Sequence, residues 1–437
     1  MRKIILLLSS LITVTNCSLA STRLNSSDVS TNDNSKKAFS HALKNLNNDE
    51  LDKFILGKSF FRVPWVEAPA ATTARDGLGP LFSSNTCINC HPRNGAGVAV
   101  DNKGELTRSL ILRLSTHGEN EPTYGTQLSL NGTFDVPYEG KPQVSYKEIL
   151  NTYPDGAIYN LRKPTYTIID LQYGALQKNT VIAPRIGLAL IGLGLIERIP
   201  ESAILANSDE QDKNKDGISG RTNYVYSLEK KKNMLGRFTW KASAPTVKQQ
   251  VAAAFNNDMG LTSHLFPNEN CTDKQKECLN APKGRGNKFD VSKARLDAVT
   301  YYVSSLKIPT QRNSKKYVNG AKIFKQISCS KCHIPSFITA DNLTIHPFSD
   351  FLLHDMGKDL SDGKLELNAN EWRTPPLWGI GLYKKVSGEA NYLHDGRARS
   401  IEEAILWHGG EAKKSKEKFM NLKKEDRQEL ISFMRSI

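Results

Sequence analysis

The chain has 437 residues, 39% of them hydrophobic and 24% charged, with 59 Lys and Arg against 45 Asp and Glu for a formal net charge of +14. That length accommodates two domains with elaborations. Beyond the N-terminus no apolar stretch is long enough to cross a membrane, and the lysine runs at 230–232 and 413–418 lack interleaved aromatics, which argues against nucleic-acid binding.

At the start, Arg2 and Lys3 precede an apolar run from Ile4 to Val14, and Ser18-Leu19-Ala20 offers a small-residue cleavage site. Residues 1–20 read as a secretory signal and the mature protein as periplasmic. Cys17 leaves a rival reading open, a lipoprotein anchored to the membrane at that cysteine. Residues 21–49 are rich in Ser, Asn, Asp and Lys and read as a flexible leader.

Gly57-Lys58-Ser59-Phe60-Phe61 comes next, and then Cys87-Ile88-Asn89-Cys90-His91. The latter is a complete C-x-x-C-H motif. A second, Cys329-Ser330-Lys331-Cys332-His333, lies 242 residues on, just after Gly320-Ala321-Lys322-Ile323-Phe324. In such a motif two thiols form thioethers with one porphyrin, and the next histidine lies under the iron. Two covalent c-type haems are expected, held by Cys87, Cys90, Cys329 and Cys332, with His91 and His333 as proximal ligands. Redox C-x-x-C sites or a four-cysteine zinc site need no histidine directly after each second cysteine.

Between the motifs the chain reads as a loop-rich insertion. Ile191 to Ile196, with its paired glycines, reads as a tightly packed helix without dinucleotide-binding context. Asp212, Asn214 and Asp216 occupy positions one, three and five of a calcium loop, with Gly217 at the turn. Asn223 stands where a bidentate Glu is wanted, so an Asx-rich turn is the competing reading. Cys271 and Cys278 are the cysteines left after haem attachment and are expected to pair in an oxidising compartment.

Leu296, Val299, Val303 and Leu306 have helical spacing in 292–306, Pro309 marks a break, and Leu430, Ile431 and Met434 repeat the pattern in 425–436. In cytochrome c folds a helix with a Gly and aromatic face packs against the last helix of the domain. Both partners are visible twice. The expected fold is therefore mainly α, with two cytochrome c-like domains at 50–309 and 310–437 and the long insertion in the first.

Further segments carry a family resemblance. They are Asp76-Gly77-Leu78-Gly79-Pro80-Leu81-Phe82, Asp216-Gly217-Ile218-Ser219-Gly220-Arg221, Asp258-Met259-Gly260-Leu261-Thr262-Ser263, Leu352-Leu353-His354-Asp355-Met356-Gly357, Arg373-Thr374-Pro375-Pro376-Leu377-Trp378-Gly379 and Leu393-His394-Asp395-Gly396-Arg397. From about residue 50 to the end, the chain resembles the bacterial di-haem oxidoreductases. This peroxidase-like group is also labelled thiol oxidoreductases and is related to di-haem cytochrome c peroxidases. The resemblance implies a sixth ligand fourteen residues after His394, which is His408. It also implies that His354 and His394 support the iron ligands or bind propionates, with Arg373 and Arg397 as propionate partners. For the first haem, Met259, His117 and His264 are candidate sixth ligands, and an open iron is the alternative. The function so implied is electron transfer between haems with peroxidase-type chemistry at the N-terminal haem, the alternative being a pure electron carrier. The partner would be a redox protein, with an acidic one matched to the basic charge. Catalytic residues are not assigned. A dithiol chemistry conflicts with the cysteine count.

Overall fold

The computed structural model describes residues 26–284, 288–363 and 369–437. The signal segment and Cys17 lie outside the described residues. Helix α1 spans Asn48–Arg62 and starts with a capping box, in which the Asn47 side chain and Glu50 bond each other's backbone N–H. It buries Phe54, Gly57, Phe60 and Phe61. After the first haem motif come strand β1 (Leu110–Thr116), strands β2 (Lys141–Thr152) and β3 (Ile158–Ile169), and strand β4 (Thr180–Ile186). Strands β2 and β3 form a twelve-pair antiparallel hairpin, and β1 pairs antiparallel with β4. Helices α2 (Val247–Met259) and α3 (Lys293–Ser304) follow, each with a side-chain N-cap, Thr246 and Ser292.

Past Pro309 the chain forms α4 (Val318–Gln326), β5 (Leu353–Asp355), β6 (Glu371–Arg373), α5 (Ile401–Trp407), α6 (Lys413–Met420) and α7 (Lys424–Ser436). The two glycines anticipated in the helix pairs lie where the helices cross. A Cβ on Gly57 would stand 2.8 Å from Tyr302 Cβ and closer still to the Ala298 carbonyl. A Cβ on Gly320 would stand 2.6 Å from Phe433 Cβ. Only a residue without a side chain lets α1 reach α3, and α4 reach α7, this closely.

Three expectations need adjustment. The fold is not clearly mainly α: among the described residues eight two-stranded sheets accompany the helices. The insertion is loop-rich as expected but also carries β-ribbons, the longest of which alternates half-buried and exposed positions. The expected flexible leader is packed from Ser26 onward. Phe39 is fully buried, and Ser30–Thr31 pairs in parallel with Ile308–Pro309.

Two main cores form, and both draw on residues from either side of 309. One runs from Val29 through Phe255 and Tyr302 to Trp378 and Val386. The other joins Tyr153 and Leu161 of the hairpin region to Phe324, Trp407, Phe419 and Phe433.

Candidate haem sites

Both C-x-x-C-H segments fold as short 3-10 turns at Cys87–Asn89 and Cys329–Lys331, and the His91 and His333 amides bond back to the carbonyls of Cys87 and Cys329 at 3.0 Å. Each turn follows the first helix of its helix pair. All four motif cysteines are half-buried and free, whereas Cys271 and Cys278 are joined in a disulfide. Burial pushes the thiols of Cys87 and Cys329 up to about 12.

A single cavity gathers the C-terminal candidates. Cys329, Cys332, His333, His354, Arg373, His394 and His408 all line it. Its apolar wall includes Phe324, Leu360, Trp372, Leu377, Ile405 and Met434. His333 Nδ1 donates to the Phe348 carbonyl at 3.0 Å, and His408 Nδ1 donates to the Ala404 carbonyl at 2.7 Å. In that tautomer Nε2 of each ring carries the free lone pair, the form a metal ligand requires. Burial, with the neighbouring His408, lowers the His333 pKa to about 4, and burial also lowers that of His408. Both rings are neutral at pH 7. Helix α5 ends at His408. Gly409 and Gly410 let the chain turn against Asp355–Gly357, where a Cβ on Gly410 would meet the Asp355 carbonyl.

His354 is held differently. Its Nε2 lies 2.8 Å from Asp350 Oδ2 and its Nδ1 2.6 Å from Glu411 Oε2. Burial alone would lower its pKa, but the bonds to Asp350, Cys332 and Glu411 raise it well above the usual value. It is an imidazolium with both nitrogens committed, and it steadies the ground beside Cys332. His394 has the opposite character. Its ring stacks on Trp372 at 3.7 Å and 13°, and burial together with Arg185, Arg397 and Lys241 keeps it neutral. Lys241 and Arg185 also lie over Trp372, at 3.9 and 4.6 Å, and both pair with the buried Asp362.

Arg397 is paired with Asp395 at 2.8 Å. Arg373 is buried and donates only to carbonyls, Thr239 at 2.6 Å and Thr374 at 3.2 Å, among the bonds of the described residues. Burial pulls its pKa down to about 10, and its positive charge is without a carboxylate ion pair among the described residues. An acidic group in the cavity, such as a haem propionate, fits it. Cysteine sulfurs, two neutral imidazoles with free Nε2 atoms, an apolar wall and the buried Arg373 line one cavity and form a donor set that suits haem.

At the first motif, burial lowers the His91 pKa to about 4, opposed by backbone bonding to Leu188 and Gly95. A Cβ on Gly187 would stand 2.6 Å from His91 Cε1. Ile186, Gly187 and Leu188 also line the C-terminal cavity, so one backbone segment lies between this histidine and that cavity. Met259 ends α2 inside the main core, against which Cys87 and Ile88 pack. Its neighbour Asp258 raises the pKa of both Cys87 and Cys90, after burial. His117 and His264 are exposed.

The segment expected as a calcium loop forms an Asx-rich turn tied to the second motif. Asp212 Oδ1 accepts from Asp216 N at 2.9 Å, Asn214 Oδ1 accepts from the same N–H at 2.9 Å, and Asp216 Oδ2 pairs with Lys331 Nζ at 2.7 Å. These oxygens bond the loop's own backbone and a lysine between the cysteines of the second motif. Sequence reasoning missed Asp350, Glu411, Lys241, Arg185 and Trp372. Their partners lie up to about 190 residues away in the chain, and no local pattern marks them.

No curated protein matches the chain. Among solved structures it is similar to the hydrazine synthase of Kuenenia stuttgartiensis pressurized with xenon, at 12% identity and a TM-score of 0.37 over 100% of both chains. That likeness is too slight to say anything about the site. The sequence model of one family, described as "Di-haem oxidoreductase, putative peroxidase", matches residues 22–113 and 122–437, and the chain belongs to this di-haem oxidoreductase family.

Proposed function

We propose that the protein is a secreted c-type di-haem oxidoreductase whose second haem is a bis-histidine relay. Cys87, Cys90, Cys329 and Cys332 are the covalent anchors, His91 and His333 the proximal ligands, and His408 the sixth ligand of the second haem. The observation that carries this reading is the pair His333 and His408, which line one cavity with their Nδ1 atoms tied to carbonyls. Two haems so held supply one-electron chemistry at potentials set by their ligands.

The chain's own residues do the rest. The apolar wall around Phe324 and Trp372 excludes water. Arg373 offers its charge to a propionate. The His354 imidazolium, between Asp350 and Glu411, holds fixed the loop after the second motif. The Ile186–Leu188 segment, shared by His91 and the cavity wall, supports electron passage between the two sites. The disulfide and the signal-like N-terminus support a location outside the cytoplasm. An acidic redox protein suits the basic surface.

At the N-terminal haem, peroxidase-type chemistry requires an iron position that opens. A second reading, electron carriage without turnover, is favoured by the burial of Met259 in the core that also packs Cys87. Spectra of the purified protein with carbon monoxide and with peroxide separate the two. Carbon monoxide binding at the reduced N-terminal haem supports the enzyme, and no binding at either haem supports the carrier. A pyridine haemochrome ratio of about two, falling to about one in Cys87→Ala/Cys90→Ala, tests covalent attachment. Retention of both haems in that variant would refute it.

A further inference from the structure

The β2–β3 hairpin belongs by sequence to the stretch between the two haem motifs, yet it grips the helix that ends in His408. We infer that this hairpin sets the position of the second haem's sixth ligand, with Arg162 as the central positioning residue. The inference rests on the proposal that His408 ligates that haem.

The contacts converge on residues 395–403. Arg162 is buried under the hairpin, its guanidinium 4.3 Å from the Tyr146 ring centroid. Its Nε donates to the Arg397 carbonyl at 2.7 Å and its Nη2 to the Gly396 carbonyl at 3.2 Å. Its backbone N–H donates to Glu403 Oε1 at 3.0 Å. Tyr166 Oη donates to the Asp395 carbonyl at 3.2 Å, and Tyr153 Oη donates to Glu402 Oε1 at 2.8 Å. The approach to α5 and its first turn are therefore fastened to the hairpin. The carbonyl that orients the His408 ring belongs to Ala404, the residue after Glu403. Tilting α5 would swing that ring relative to His333.

Two features make this more than generic packing. Glu403 is buried, and its carboxylate is shared between the hairpin and Arg399, which bonds it through N at 2.8 Å and Nε at 2.9 Å. And α5 is short, seven residues, so its axis is set by what holds its ends rather than by its own length.

The test uses full-length, haem-loaded protein and reads carbon monoxide binding and the low-spin electron paramagnetic resonance signal of the second haem. His408→Ala is the reference and should open that haem. Arg162→Met should keep both haems but broaden or shift the low-spin signal. It should also raise carbon monoxide binding at the second haem roughly tenfold over wild type, in keeping with the loss of two hydrogen bonds. Arg162→Lys, which keeps the charge but loses the forked guanidinium that reaches both carbonyls, should fall between. Asp155→Asn removes the charge from the ion pair between the hairpin turn and Arg427 of α7, 2.7 Å in the native protein, and deletes no bond to residues 395–403. It should lower stability and leave both readouts unchanged. Should Arg162→Met not accumulate with two haems, Arg162→Lys and Tyr166→Phe carry the same comparison. If His408→Ala binds no more carbon monoxide than wild type, the ligation itself fails. If His408→Ala opens the haem while the Arg162 variants stay within about twofold of wild type, or Asp155→Asn matches them, the positioning role is overturned.

Discussion

Replacing His354 by Gln tests the charge arrangement beside the second haem. In the native protein Asp350 and Glu411 each bond one nitrogen of that ring, and their side chains are 2% and 9% exposed. The substituted amide would carry no charge, leaving two nearly dry carboxylates without their cation. Removing one partner of a buried ion pair costs about 3–5 kcal/mol. Relaxation and water entry around Glu411 favour the lower end, so a loss of about 3 kcal/mol is expected in urea titrations at pH 6. The pH dependence has a definite sign. The folded pKa of His354 is raised, so its contribution is fully present below about pH 6.5, the unfolded value. It is lost as pH rises through the folded value, at up to about 1.4 kcal/mol per unit. The gap between wild type and variant should therefore be flat between about pH 5 and 6.5 and narrow in alkaline solution. Because both nitrogens are already committed, the haem spin states should not change. A gap under about 1 kcal/mol at pH 6, a gap that widens with pH, or a new high-spin signal would refute the reasoning.

Other outcomes follow from the same structure. Gly320→Ala pushes a methyl into Phe433 Cβ and the Glu429 carbonyl and should destabilise the C-terminal helix pair by about 1–3 kcal/mol in chemical denaturation. Gly57→Ala should do the same at α1 and α3. Glu139 is buried, and its carboxyl is raised to about 8 by burial, opposed by bonds from Ser129 and Gln275. It binds a proton in the folded state that the unfolded chain has released, so wild type should lose stability relative to Glu139→Gln as pH rises from about 4.5 to 8. The expected loss is on the order of a few kcal/mol, and a pH-independent difference would count against it. Arg373→Gln should lower the potential of the second haem by tens of millivolts in a redox titration, because removing a nearby positive charge favours the ferric state. An unchanged potential would mean that its charge is balanced away from the haem.

What the sequence discloses depends on the range of each interaction. The C-x-x-C-H motifs are local, so they were legible at once. The helix pairs were legible because Gly57 and Gly320 each have a Phe four residues on and each partner helix has its own apolar spacing. His408 came from its distance to His394 in a family pattern. The ribbon at 141–169 was not legible. Its inward positions shift from even to odd numbers near Lys147 and Glu148, both exposed, which breaks the alternation a strand normally displays. The packed segment from Ser26 looked disordered by composition, because Phe39 and Val29 are isolated apolar residues whose burial depends on the distant Tyr383 and Ile308. The cations around Trp372 are set by tertiary contacts alone.

The interleaved cores bear on the order in which the molecule is completed. A chain is made from its N-terminus, so Cys87, Cys90 and His91 emerge long before Tyr302, Phe351 and Trp378, which share the core against which Cys87 packs. The second motif likewise appears before α5 and His408 exist. Neither pair of thiols is enclosed until nearly the whole polypeptide is present, which, on the proposed reading of covalent attachment, leaves each open to a haem-attaching catalyst before the chain has closed over it. Closure then comes late and for both sites together, when residues beyond about 370 arrive to fill the first core and to meet the waiting hairpin.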